Sequence, residues 1–84
     1  MEITEVKVFP TTEGKLKAYA TMVIEGCFII RDLKIIESAK GLFVSMPSRR
    51  KKDGTFKDIA HPLDLETRQM IENKIIEEYN KTVK

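Results

Sequence analysis

The chain has 84 residues, of which 42% are hydrophobic and 33% charged, with both signs mixed along its length. This composition is typical of a folded protein and excludes a disordered one. The length leaves room for one domain, which we expect to span residues 1-84, and for no second catalytic lobe. A core this small leaves stability marginal, so pairing of two copies is expected to help. The formal net charge of +2 is too small to indicate a polyanionic partner.

The residue types available exclude a membrane span and a structural metal site. The longest apolar runs, such as residues 27-30, fall far short of the roughly 20 residues that a spanning helix requires. The first residues lack the basic start and apolar core of an export signal. One cysteine and one histidine are too few soft ligands for a zinc site within one chain. We therefore expect a cytoplasmic protein with no membrane association, no metal and no cofactor.

Alternating polar and apolar residues predict three strands in the first half of the chain, at about residues 2-9, 15-25 and 27-36. Residues 10-14 indicate a turn between the first two strands. Glu25-Gly26 indicates a tight hairpin turn, because glycine supplies the positive φ that such turns require. The second strand has the cleanest alternation and should bury one face.

Apolar side chains occupy both faces of the third strand. Strict alternation would place Ile30 on one face and Leu33 and Ile35 on the other. This pattern favours burial of both faces of that strand.

The second half of the chain predicts two short strands and one helix. Residues 42-46 form the fourth strand, which Pro47 must end because it cannot donate to a ladder. Residues 55-59 either pair back as a fifth strand or lie as an extended arm. Asp64 is a suitable N-cap for a helix at about 65-80, whose apolar face is Thr67, Ile71, Ile75 and Tyr79. The order predicts an α+β fold, with a small antiparallel sheet of about four to five strands followed by a C-terminal helix.

The excess positive charge is concentrated between the fourth strand and the helix. Residues 47-57 hold five cations and one carboxylate, a net +4, so the rest of the chain carries −2. A hydroxyl and several cations on one connection suit the neutralisation of phosphates. A solvated turn explains the same pattern about equally well. If the segment binds phosphates, its candidate residues are Ser48, Arg49, Arg50, Lys51, Lys52 and Lys57.

Other candidate groups favour structural roles. Asp58 and His61 are three positions apart, but no nucleophile motif or phosphate loop accompanies them, so a histidine that fixes the turn before a proline is the better interpretation. Cys27 lies beside apolar strand residues, where a free thiol usually behaves as a small buried hydrophobe. Tyr19 and Phe56 offer rings for base stacking, yet with only 7% aromatic residues ordinary packing is favoured.

Two segments carry a resemblance to a known family. Residues 41-50 read GLFVSMPSRR and residues 53-62 read DGTFKDIAHP, which closely resembles the signature of the SpoVG family of bacterial septation and sporulation regulators. The resemblance extends to the opening ITEVKV, to EGKLKA at residues 13-18 and to Thr67-Arg68. It departs from the family pattern at Lys51-Lys52, where threonine and proline are common, and at Leu65, where a small polar residue often occurs.

The resemblance implies an antiparallel sheet with a C-terminal helix, assembled as a homodimer through strand edges. It also implies binding to DNA, and in some members to RNA, with no enzymatic reaction. Arg49 and Arg50 match the basic motif of the family, and Arg68 matches a position early in the helix.

Together the residues and the resemblance predict a nucleic-acid-binding regulator of gene expression, septation or sporulation. Its partners would be DNA or RNA and a second copy, with no small-molecule substrate. The main alternative is an adaptor that docks a division protein through its helix or sheet edge. An enzyme that uses Asp58 and His61 is the remaining alternative.

Overall fold

Four antiparallel strands and one helix enclose the hydrophobic core of the protein. The computed structural model describes residues 1–83. The main sheet has the order β1-β2-β3-β4, a separate two-stranded sheet joins β5 and β6, and the helix α1 follows. The predicted α+β fold is confirmed. The elements are β1 (Ile3–Glu13), β2 (Leu16–Ile24), β3 (Phe28–Ser38), β4 (Gly41–Ser45), β5 (Ser48–Arg50), β6 (Phe56–Asp58) and α1 (Leu65–Thr82).

The helix packs against one face of the main sheet. In β2, Ala18, Ala20 and Met22 are buried, as the alternation predicted. From α1, Ile71 and Ile75 enter the same core. Complete burial of a large aliphatic side chain stabilises the fold by roughly 1.5–3 kcal/mol, so these contacts hold helix and sheet together.

A bulge in β3 changes the faces that strict alternation predicted. Ala20 pairs with Leu33, but Met22 pairs with Ile30, so β3 has one extra residue in this interval. Asp32 lies in the left-handed region, with φ of 64°. Because an inserted residue reverses the alternation beyond it, Ile30 packs against the same core as Leu33. The prediction that these two residues face opposite sides was wrong.

β1 is longer than the sequence pattern indicated. It continues through Pro10 to Glu13, so the predicted turn over residues 10-14 was wrong, and only Gly14 and Lys15 form the turn. Proline is tolerated here because β1 is an edge strand of the sheet. Gly14 has φ of 69°, the left-handed conformation that glycine adopts without strain.

The helix begins where the capping signal predicted. Asp64 is the N-cap, and its carboxylate accepts a hydrogen bond of 2.6 Å from the backbone N–H of Thr67. This bond satisfies a backbone donor that has no partner inside the helix, and the negative charge suits the positive end of the helix dipole. The helix continues to Thr82, two residues beyond the predicted end.

Cys27 does not behave as the predicted buried hydrophobe. It is exposed in the turn between β2 and β3, next to Glu25 and Gly26, which both have positive φ. Its N–H donates to the carbonyl of Ile24 at 3.1 Å and closes that turn. Within residues 1–83, α1 is not apolar enough to cross a membrane.

One side chain of α1 reaches the outer edge of the sheet. The carboxylate of Glu72 accepts a hydrogen bond of 3.1 Å from the backbone N–H of Val44 in β4. The pair is partly buried, and Val44 itself is 1% exposed. Glu72 therefore supplies a partner that an edge strand otherwise lacks.

Replacing Glu72 with alanine is expected to destabilise the protein by about 1 kcal/mol, because the Val44 N–H loses a charged acceptor in a partly buried position. In a domain of this size the thermal midpoint should fall by about 4–8 °C. Glu77→Ala is the matched control, since Glu77 forms an exposed pair with Lys81 and should cost less than about 0.5 kcal/mol. Equal effects from the two substitutions would contradict this role for Glu72.

Candidate nucleic-acid interface

The basic segment forms a two-stranded hairpin, which we call the basic ribbon (residues 48–58). Ser48 pairs with Asp58, Arg49 with Lys57 and Arg50 with Phe56. Of the cations that the sequence placed on a connection, Arg49 and Arg50 lie in β5, whereas Lys51 and Lys52 lie in the turn between β5 and β6. The expected return strand does pair back, but onto the ribbon and not onto the main sheet.

Buried residues tie the base of the ribbon to the core. Met46 is 4% exposed and Pro47 is also buried, so the chain leaves the core at a fixed point. The N–H of Ile59 donates to the carbonyl of Pro47 at 2.8 Å and closes the base of the hairpin. Beyond this point every residue from 49 to 59 is exposed.

The tip of the ribbon is held by a compact set of hydrogen bonds around Asp53. The carboxylate of Asp53 accepts the N–H of Thr55 at 3.0 Å and its hydroxyl at 2.7 Å. The N–H of Lys51 donates to the carbonyl of Thr55 at 2.7 Å. The hydroxyl of Thr55, and then its N–H, lower the pKa of Asp53 below its ordinary value because both stabilise the carboxylate. Two cations, Lys51 and Lys52, are thereby presented on an ordered turn.

The ribbon carries five cations that do not form ion pairs with other groups in residues 1–83. The ion pairs in that part of the chain are Lys17 with Glu37 and Lys81 with Glu77. Arg49 and Lys57 lie directly opposite each other across the ribbon. Like charges directly opposite each other on paired strands repel. An anion bound between Arg49 and Lys57 would remove this repulsion, which destabilises the free protein.

Arg68 and Lys57 line one open groove, although they are eleven residues apart in sequence. The groove has a volume of about 420 Å³ and is also lined by Phe56, Asp58 and His61. It lies between the ribbon and the first turns of α1. The structure therefore brings Arg68, the binding candidate on the helix, close to Lys57 on β6 of the ribbon.

Two lining residues of this groove were assigned other roles by sequence reasoning. Phe56, for which the sequence favoured ordinary packing over base stacking, is 66% exposed. His61 lies with Nδ1 3.0 Å from the carbonyl oxygen of Pro62, which agrees with the predicted role in that turn. The signal that could have placed both in the site is their position in the chain, since Phe56 lies in β6 next to the candidate Lys57 and His61 follows that strand.

The described residues do not form a metal site or an evident catalytic pair. In residues 1–83 no group of three or more histidine, cysteine or acidic side chains is close enough to hold a metal ion. Asp58 and His61 line the same groove but do not share a hydrogen bond in this part of the chain, where the ring of His61 contacts Pro62. The enzyme alternative therefore gains no geometric support.

The fold and the ribbon define a class of small α+β proteins in which one helix covers a four-stranded sheet and a basic hairpin projects from its edge. A family model described as SpoVG matches residues 1–81. The chain belongs to the SpoVG family.

Relatives share this sequence over almost its whole length. A protein of Anaeromyxobacter sp. (strain K) is 58% identical over 84 residues, covering 100% of this chain and 83% of its own. One from Bdellovibrio bacteriovorus is 57% identical, covering 100% of this chain and 78% of its own. One from Clostridium perfringens is 48% identical over 82 residues, covering 96% and 91%. All three bear the name "Putative septation protein SpoVG".

Substituting Thr55 by alanine is expected to raise the pKa of Asp53 toward its ordinary value, because the hydroxyl is the main group that lowers it. A lowered pKa in the folded state means that the tip gains stability above the ordinary pKa and loses it as the pH falls through the lowered one. A carboxyl-detected NMR titration measures this pKa. Thr55→Ser keeps the hydroxyl and should leave the value low. An unchanged pKa in Thr55→Ala would contradict the assignment.

Proposed function

We propose that the protein is a cytoplasmic nucleic-acid-binding regulator whose basic ribbon contacts the phosphate backbone. The observation that carries the proposal is the ribbon itself, where Arg49 and Lys57 lie opposite each other without a carboxylate between them. Lysine and arginine that neutralise phosphates release condensed counterions, which supplies most sequence-independent affinity. DNA is the principal target, and RNA is a second one.

Residues of the ribbon and residues of the groove would each contribute contacts to the phosphate backbone. At the tip, Lys51 and Lys52 lie on the ordered turn, while Arg49 and Arg50 lie on β5. Arg68 and Lys57 would add contacts from the groove, and the hydroxyl of Ser48 is a further donor at the base of the ribbon. Phosphate contacts of this kind fix register on a duplex but do not read sequence. We therefore expect modest sequence specificity.

Pairing of two copies would double this basic surface. The outer edges of the main sheet in the described chain belong to β1 and β4. Glu72 already occupies the Val44 N–H on the β4 edge, which leaves β1 as the more accessible edge. A homodimer joined through β1 would place two ribbons on one assembly. Such pairing supplies backbone hydrogen bonds that edge strands lack.

The family name suggests the process in which the regulator acts. The relatives are called septation proteins, and none of the three names specifies a reaction. We propose a regulatory, non-enzymatic role in septation, cell division or sporulation, acting through gene expression. An adaptor that docks a division protein remains the alternative. The apolar groups at residues 59, 63 and 65, which are 68%, 93% and 68% exposed, favour it.

The first test is fluorescence anisotropy of labelled duplex DNA over a salt series. Each phosphate contact contributes about −0.9 to the slope of log K against log salt, so about eight contacts in a dimer give a slope near −7. A variant with Arg49, Arg50, Lys51 and Lys52 all changed to Gln is expected to lose most of this slope and most of its affinity. Circular dichroism checks that the variant remains folded.

A second variant controls for the loss of positive charge in general. Changing Lys15, Lys40, Lys74 and Lys81 to Gln alters the net charge equally but leaves the ribbon intact. This variant should retain the steep slope. If both variants bind equally well, or the wild type does not bind nucleic acid at all, the ribbon proposal fails. Capture of a purified division protein by the wild type would then support the adaptor.

A further inference from the structure

The face of the main sheet opposite α1 carries three uncovered aromatic rings. Phe9, Tyr19 and Phe43 each follow or precede a residue that packs in the core, so their own side chains point to the other face. Their exposed fractions are 55%, 36% and 40%. Half of the six aromatic residues in the chain therefore lie on one surface that α1 leaves open. Tyr19, for which the sequence favoured ordinary packing, is the least exposed of the three rings.

Two of these rings lie in register with one lysine side chain. Phe9 pairs with Tyr19, Tyr19 pairs with Lys34, and Lys34 pairs with Ser45, which forms one row across all four strands. Strands are about 4.8 Å apart, so the row spans about 14 Å. Phe43 lies on the same face two residues before Ser45. We call Phe9, Tyr19, Lys34 and Phe43 the aromatic face.

The charge on this face argues against a second sheet as its cover. Lys34 lies between Tyr19 and Ser45 in the middle of the sheet, and Lys7 lies two residues from Phe9 on the same face. The carboxylates that the register of β1 places on that face are Glu5, next to Lys7, and Glu13, in the row that contains Phe43; neither lies in the row of Lys34. If two copies packed this face against each other, the ammonium group of each Lys34 would be removed from water. No carboxylate in the same row of the sheet would compensate for that loss of hydration. An anionic partner with planar groups fits both the rings and the lysines.

We propose that the aromatic face binds the unpaired bases of a single-stranded nucleic acid. Bases stack on exposed rings, and lysines among the rings contact the phosphates between them. A four-stranded sheet with helical cover on one face and base-stacking rings on the other accommodates two or three nucleotides. Duplex bases are stacked on each other and unavailable to these rings. The aromatic face is therefore a second binding surface, different in chemistry from the basic ribbon, and it does not depend on the ribbon proposal.

The test compares labelled single strands and duplex DNA. A variant with Phe9, Tyr19 and Phe43 all changed to Thr removes the rings but keeps residues that favour strands. With oligo(dT) and oligo(U) of about 12 nucleotides, within the usual site sizes, this variant should bind at least tenfold more weakly than the wild type. Its affinity for duplex DNA should change less than twofold. The double variant Lys7→Gln/Lys34→Gln should reduce the salt slope on single strands by about 1.4, from about −0.7 per contact.

Tyrosine emission provides a direct readout of stacking. The chain has two tyrosines and no tryptophan, and Tyr79 packs against the core. In a Tyr79→Phe background Tyr19 is the single emitter. Its emission should be quenched when oligo(dT) binds, and duplex DNA should leave it nearly unchanged.

A matched variant tests whether any loss of apolar surface has the same effect. Phe28, Ile59 and Leu63 are 63%, 68% and 93% exposed and lie away from the aromatic face, so changing all three to Thr should preserve single-strand binding. The proposal is overturned if this control loses binding equally, or if the ring variant binds single strands as the wild type does. It is also overturned if light scattering shows that the ring variant alone changes from dimer to monomer, because the face would then be a contact between copies.

Discussion

The packing of α1 against one face of the main sheet, where its backbone lies nearest to β1, is the constraint on which the rest of the molecule depends. Ala18 and Ala20 are both fully buried and belong to the same hydrophobic core as Ile71 and Ile75 of the helix. Interiors are packed to the density of crystals, so this contact leaves little freedom in the position of the helix. One helix can cover only one face of four strands. The opposite face and the basic ribbon are therefore left uncovered by α1.

Elements whose order depends on local periodicity could be predicted from the sequence. The alternation around Ala20 predicted β2 and its buried face, and Asp64 predicted the start of α1. The β3 bulge at Asp32 could not be predicted, because the register is set by pairing with β2 and not by the residues of β3 alone. β1 continued through Pro10 for a related reason, since only its place at the edge of the sheet makes proline acceptable there.

For the candidate interface, the sequence predicted which residues take part but not how they are arranged in space. The five cations were visible in the sequence, but the opposition of Arg49 and Lys57 depends on a hairpin that closes around Asp53 and Thr55. The proximity of Arg68 to Lys57 requires the path of the chain between β6 and α1. Aromatic content was a poor guide for a similar reason. A proportion of 7% does not reveal that three rings lie on one face.

The ribbon and the core differ in how they are stabilised, and this difference bears on binding. A two-stranded hairpin is marginally stable in water, and here its order depends on the Pro47 to Ile59 hydrogen bond and on the tip around Asp53. Repulsion between Arg49 and Lys57 opposes that order in the free protein. If the ribbon binds phosphates as proposed, a phosphate that neutralised this pair would remove the repulsion and stabilise the folded hairpin by mass action. The proposed phosphate binding would therefore be coupled to the ordering of the ribbon.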